Sequence, residues 1–136
     1  RLLVERIESV PVSDDPIADL MAAGHEYKSF AYENPALYTL MFEGNGTDHE
    51  PSAEAYAEAF GALDGLAAIV ERAIAVGVMR PRPTHEAVMM IWAAGHGVIT
   101  LSARNPLPSL AAQDELFVAT LTALLRGMCD TRPDGA

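Results

Sequence analysis

Few side chains in this sequence have the type and spacing to do chemistry together. The 4 histidines, His25, His49, His85 and His96, stand far apart, and none falls in a His-Glu-x-x-His or Glu-x-x-His pattern. Thr84-His85-Glu86 and Asp48-His49-Glu50 put a histidine beside carboxylates. Immediate neighbours do not converge on one point, so neither predicts a metal centre. No nucleophile is paired with a base, no Gly-x-Ser-x-Gly elbow occurs, and no glycine-rich phosphate loop precedes a helix. The expectation is therefore no catalytic residue, no metal, no cofactor, and a protein that is not an enzyme. One constellation remains. Trp92 and His96 stand at i and i+4, neighbours on one helix face, with Met89 a turn before and Gly95 and Gly97 flanking the imidazole. Two readings stay open: a core tryptophan beside a histidine bonded to a carbonyl, or a ligand pocket with His96 as its polar anchor.

A second group surrounds that question. Tyr27, Phe30, Tyr38, Met41, Phe42, Tyr56 and Phe60 supply much of the aromatic and methionine content of the chain. Singly, each reads as ordinary core. Together they come from three consecutive helical segments, and a space between helices is a common binding place. Three tyrosine hydroxyls cannot all be buried without partners, so some are expected at a cavity or at solvent.

These residues need elements to position them. Val88 to Leu101 is apolar on every side apart from His96 and holds the only tryptophan. Fourteen residues make about 21 Å of helix, short of the roughly 20 apolar residues a bilayer needs. A helix apolar all round is buried all round, and a small domain can cover only part of it. Around it the chain reads as about six helices and no convincing strand. Leu2, Leu3, Ile7 and Val10 mark a first helix over Arg1 to Val10, stopped by Pro11. Asp15-Pro16 caps and starts a second, with Ile17, Leu20, Gly24, Tyr27 and Ala31 at helical spacing. Asn34-Pro35 repeats that cap and opens a short one, Ala36 to Phe42. Glu43 to Asp48 reads as a mobile acidic loop. A long helix runs from about Ser52 to Val76, its Gly61 and Gly65 suggesting close packing or a bend at a pocket wall, with Gly77 as C-cap. Pro81 to Thr84 leads into the apolar helix. Asn105-Pro106-Leu107-Pro108 centres the next connector, the last helix runs from about Leu110 to Met128, and Asp130 to Ala136 reads as a disordered tail.

With 136 residues a single domain is the default. A net charge of -10 repels phosphate backbones, and no basic amphipathic stretch suits an anionic membrane. Cys129 is the only cysteine, so no intrachain disulfide forms, and a cytoplasmic setting is expected. The opening Arg-Leu-Leu-Val-Glu-Arg-Ile-Glu, already in helical rhythm, reads as the C-terminal part of a longer protein begun mid-helix.

At this point Trp92-Ala-Ala-Gly-His96-Gly97 resembles the Trp-x-x-x-His-Gly signature of a class of C-terminal domains in TetR-type transcriptional regulators. Phe30 to Phe42, with Asn34-Pro35, Leu37-Tyr38 and Leu40-Met41-Phe42, is similar to a pattern of the same domains, and the resemblance covers nearly the whole chain. It implies an all-α ligand-binding and dimerisation domain over residues 1–136. In the family such a domain follows an N-terminal helix-turn-helix domain that binds operator DNA, which this chain lacks. The resemblance also implies an orthogonal or antiparallel bundle whose last two long helices pair with a partner's as a four-helix bundle in a homodimer. Helical geometry then places Val88, Ile91, Gly95 and Ile99 on a partner face, with Phe117, Leu121, Leu124 and Met128 as the seam on the last helix.

The function expected is a sensor in a repressor. A small hydrophobic or aromatic effector would sit among Tyr27, Phe30, Tyr38, Met41, Phe42, Tyr56, Phe60, Met89, Trp92 and His96. It would relieve DNA binding by favouring one arrangement of the first helices. Two alternatives stand beside it: an interaction module with a filled interior, and an enzyme using His96 as acid or base, which would need a second titratable group facing the imidazole.

Overall fold

The computed structural model describes residues 2–42, 53–104 and 110–129, leaving aside the side chains of residues 2, 56, 104 and 110–112. The expected acidic loop, the proline-rich connector and the tail fall outside the described residues. Six helices follow in order: α1 (Leu2–Glu8), α2 (Pro16–Glu33), α3 (Pro35–Phe42), α4 (Ala53–Ala75), α5 (Thr84–Arg104) and α6 (Leu110–Met128). The described residues hold no strand, only an isolated bridge between Met79 and Cys129. The fold is all-α, as the helical periodicities require.

Local chemistry sets the helix ends. The Asp15 carboxylate accepts the Ala18 N–H at 3.1 Å, with Pro16 at the first helical position. The turn before it is tied down by Asp19, which accepts the Ser13 hydroxyl at 2.6 Å, the Ser13 N–H at 3.0 Å and the Arg72 guanidinium of α4 at 3.0 Å. Asn34 departs from the expected N-cap. Its side-chain amide donates back to the Phe30 carbonyl at 3.2 Å, beside its own backbone N–H at 2.9 Å, so it closes α2 instead of capping α3. Pro35 then starts α3 at once and turns the chain sharply. At the end of α4, Gly77 takes φ +85. Val78 N–H reaches the Ala73 carbonyl and Gly77 N–H the Ile74 carbonyl, both at 3.1 Å, the paired bonds of a Schellman cap.

The packing is built around α2 and α4. α1 lies on α4 and α2, α3 on α2 and α4, and α5 on α2, α4 and α6. Gly61 and Gly65 are the seat of α1. A Cβ at Gly61 would come within 2.8 Å of a Val4 methyl, and one at Gly65 within 2.7 Å of an Ile7 methyl. The buried Glu58 carboxylate, a turn earlier on α4, accepts the Val4 N–H at 2.8 Å. α5 and α6 run antiparallel. Arg80, just before α5, donates its N–H to the Met128 carbonyl at the end of α6 at 3.0 Å, while Ser102 and Gln113 line one cleft toward the opposite end.

The partner face read from the sequence is turned inward. Val88, Ile91, Ile99, Phe117, Leu121 and Met128 are between 1% and 6% exposed within this one chain. Gly95 is buried with a Cβ position 3.3 Å from the Phe117 ring, and Leu124 packs against the same core. A partner cannot bury what the chain's own helices already cover. The arc of α5 and α6 left open instead carries Met89, Ala93, Leu101, Leu116, Val118, Ala119 and Ala123. With its flanks, Thr84–Ala103 is long and apolar enough to cross a membrane by length and composition alone. The core helix of a water-surrounded bundle meets the same measure.

Candidate functional site

Trp92, His96 and Thr100 follow one another at i, i+4 and i+8 along α5, so their side chains stack on one edge of the helix. Tyr38 and Phe42 repeat that spacing on α3, and the Asn34–Pro35 corner swings them against α5. Tyr27 comes from the middle of α2. The result is a continuous chain of polar atoms. The Trp92 indole N–H donates to the Tyr27 hydroxyl at 3.1 Å. The Tyr27 and Tyr38 hydroxyls are 2.6 Å apart. The Tyr38 hydroxyl is bonded to His96 Nδ1, and His96 Nε2 lies 3.4 Å from the Thr100 hydroxyl. An indole N–H only donates. When each hydroxyl passes its proton onward from that end, Nδ1 accepts and the imidazole N–H sits on Nε2, facing Thr100.

Phe42 covers this chain. Its ring centroid is 5.0 Å from Tyr38, 5.6 Å from Trp92 and 5.8 Å from Tyr27. Tyr27 meets Tyr38 edge-on at 78°, a favourable aromatic geometry. The histidine bonds two hydroxyls through its two ring nitrogens, and the tryptophan packs on a ring while keeping its N–H satisfied.

On the other side of Tyr27 and Trp92 lies an apolar cavity. Only about 40 Å³ of it is wide enough for the centre of a water molecule, so it is a narrow slot. Tyr27, Phe42, Trp92, Ile91, Gly95, Phe117 and Leu121 line it, together with Ile7 of α1, Ala23 and Gly24 of α2, and Ala62, Leu63 and Leu66 of α4. None of these is charged. Nearby, Lys28 pairs with Asp114 at 3.1 Å and holds its ammonium 5.9 Å from the centre of the Phe117 ring.

Of the residues expected at a ligand, Tyr27, Phe42 and Trp92 line this cavity. Tyr38 and His96 stand behind them in the polar chain. Phe30 and Met41 are core, at 0% and 6% exposed. Phe60 and Met89 point outward, at 59% and 48% exposed, and the Tyr56 side chain lies outside the described residues. Ile91, Gly95, Phe117 and Leu121, expected at a partner, line the cavity instead. The aliphatic wall from α1 and α4 carried no chemical signal in the sequence. Gly24 did carry one: a Cβ there would come 2.7 Å from the Leu121 side chain, and the sequence offers no turn or cap at that position to account for a glycine.

The fold is that of an all-α domain of six helices among the described residues. The chain belongs to the tetracyclin repressor-like C-terminal domain family, whose model matches residues 20–124. Domains of this family regulate and do not catalyse. A solved protein of unknown function from Rhodococcus sp. RHA1 has the same fold, with a TM-score of 0.78 and 24% identity over 94% of this chain and 67% of that one. No curated protein matches the chain.

Proposed function

We propose that residues 1–136 form one effector-sensing and dimerising domain of a cytoplasmic TetR-type repressor, with operator DNA bound only through a helix-turn-helix domain beyond this chain. A small, neutral, hydrophobic or aromatic molecule enters the slot between Trp92, Phe42 and Phe117. The observation that carries this reading is the reach of the slot. Its lining includes both the hydrogen-bonded Tyr27 and Trp92 and Ile7 of α1, the helix that would connect to a DNA-binding head. An occupant widens the slot and presses on Ile7. α1 then shifts on its glycine seat, and a differential affinity of about 1–3 kcal/mol between the two positions is enough for regulation. The absence of charge from the described lining selects neutral molecules, since an ion there would be desolvated without a partner.

The open arcs of α5 and α6 form the partner face. Met89, Ala93 and Leu101 on one helix and Leu116, Ala119 and Ala123 on the other offer an apolar surface with small residues that admit close helix approach. Sedimentation velocity at micromolar concentration should give a dimer that Ala123→Glu converts to a folded monomer; a wild-type monomer there counts against the reading. For the effector, 2-naphthol serves as probe. The expected outcome is a higher melting temperature, with binding at about a hundred times the dissociation constant adding about 2.7 kcal/mol.

The narrowness of the slot favours a second reading, an interaction module whose interior stays filled. That reading prevails if the dimer is present and neither 2-naphthol nor smaller neutral aromatics raise the melting temperature.

A further inference from the structure

A second cleft lies on the far side of the Tyr38–His96 bond, between α2, α3, α5 and α6. Tyr32, Tyr38, Thr39, Thr100, Ser102 and Gln113 supply its polar lining. It is wider than the apolar slot, with about 600 Å³ free of atoms and about 220 Å³ able to take the centre of a water molecule. Two hydroxyls at this cleft, Tyr32 Oη and Ser102 Oγ, are buried beside each other, near enough to interact but with no partner at hydrogen-bond distance. Ser102 is only 4% exposed. A serine inside a helix ordinarily satisfies itself on the carbonyl a turn back, and this one does not. Buried hydroxyls without partners are uncommon because their desolvation goes uncompensated. Here two of them stand on one cleft.

The electrostatics narrow what they would recognise. Burial, and then the nearby Asp114 carboxylate, push the Tyr32 phenol up from its ordinary value, only partly offset by the neighbouring Ser102 hydroxyl. Tyr32 therefore stays a neutral donor across the physiological range. Asp114 is itself paired with Lys28 at 3.1 Å, so the described residues of the cleft offer no free counter-charge for an ion. Its described lining is uncharged, with hydroxyls and one amide that both donate and accept.

We propose that this cleft is a binding site for a small uncharged molecule carrying a hydroxyl or amide group, held by Tyr32 and Ser102. Tyr38 and Thr100 line the cleft and also belong to the hydrogen-bond chain that ends at Trp92. An occupant that bonds either of them redirects a hydroxyl in that chain and alters the surroundings of the tryptophan. The site rests on its own residues and is independent of any effector in the apolar slot.

The test titrates the chain with benzamide and with toluene as its hydrocarbon counterpart, following backbone amide shifts by NMR and the emission of the only tryptophan. Benzamide should give saturable shifts at Tyr32, Ser102 and Thr100 and change the Trp92 emission, with toluene binding at least about tenfold more weakly, because a site built for hydrogen bonds rejects an analogue lacking them. Ser102→Ala and Tyr32→Phe each remove an unpartnered hydroxyl. Both should be at least as stable as the parent and should weaken benzamide about tenfold. Stabilised variants that bind benzamide unchanged would show the hydroxyls to be packing defects and overturn the proposal. So would toluene binding as tightly as benzamide, shifts confined to Gly24, Gly95 and Leu121 around the apolar slot, or no saturable shift up to the solubility limit.

Discussion

Two pairs of glycines in this molecule meet different partners, and the partners decide what each contact becomes. Gly61 and Gly65 on α4 face Val4 and Ile7, whose branched side chains fill the notches and bring α1 down onto α4. Gly24 on α2 and Gly95 on α5 face Phe117 and Leu121 of α6. A flat ring and a long side chain cover those notches without filling the space beside them, and the apolar slot is what remains. A missing side chain is thus a docking seat when a stiff, branched residue enters it. It becomes part of a cavity when a ring spans it. The first contact holds α1 in place. The second supplies volume that can change when something binds.

The largest effect should come from breaking the open side. Phe117→Ala removes the ring that roofs Gly24 and Gly95, and chemical denaturation should register a loss of about 3–5 kcal/mol. The same variant should gain affinity for bulkier neutral aromatics. Tyr27→Phe should follow, at about 1–3 kcal/mol, because it leaves the half-buried Trp92 N–H without its acceptor. A shift in tryptophan emission should accompany that loss, and Trp92→Phe in the same background should recover part of it.

A finer comparison uses the glycines themselves. Gly65→Ala would set a methyl 2.7 Å from the β-branched Ile7 side chain. The overpacking cost of about 1–3 kcal/mol should exceed the helix-propensity gain of about 1 kcal/mol, and α1 should become the first segment to exchange its amides. Gly24→Ala meets Leu121 Cδ1 at the same 2.7 Å, but the end of a leucine can swing into the slot. It should change stability by less than about 1 kcal/mol while reducing affinity for 2-naphthol. Equal effects of the two substitutions would break the distinction between seat and cavity.

The smallest expected effect concerns acid. The Ser13 hydroxyl and backbone N–H, and then Arg72, hold the Asp19 carboxyl below its ordinary value of 3.8. A depressed carboxyl stabilises the folded state fully above the ordinary value and loses that contribution as pH falls through the lower folded one. Acidification below about pH 4 should therefore loosen the α1–α2 turn on α4 before the α5–α6 pair. Asp19→Asn should remove that early step, as followed by amide exchange.

Much of this arrangement was legible from residue order. Asp15-Pro16, Gly77 and the apolar spacing of the long segments mark helices whose ends depend on local bonds. The family was readable from Trp92, His96-Gly97 and the Asn34–Phe42 stretch. The lining of the slot was legible in part. Tyr27, Phe42 and Trp92 could be picked out because aromatic side chains with a polar tip need both a wall and a partner. The aliphatic wall from Ile7, Leu63 and Leu66 could not, since an alkyl side chain looks the same in sequence beside a void or inside a core. Phe60, by its ring, and Met89, by its place a turn before Trp92, are expected at a pocket, and both point outward.

Helix α5 marks the boundary most clearly. By itself the sequence determined that Val88 to Leu101 would be helical and apolar on every side, because propensity and hydropathy act through near neighbours along the chain. It could not determine which arc α2, α4 and α6 would cover. Helical periodicity locates a face only where polar residues mark its opposite, and this helix has almost none. The tertiary structure made that choice. It turned Ile91, Gly95 and Trp92 toward Phe117 and the slot, and left Met89, Ala93 and Leu101 outside. It also brought Tyr27, Tyr38 and His96, from three separate helices, into one hydrogen-bond chain.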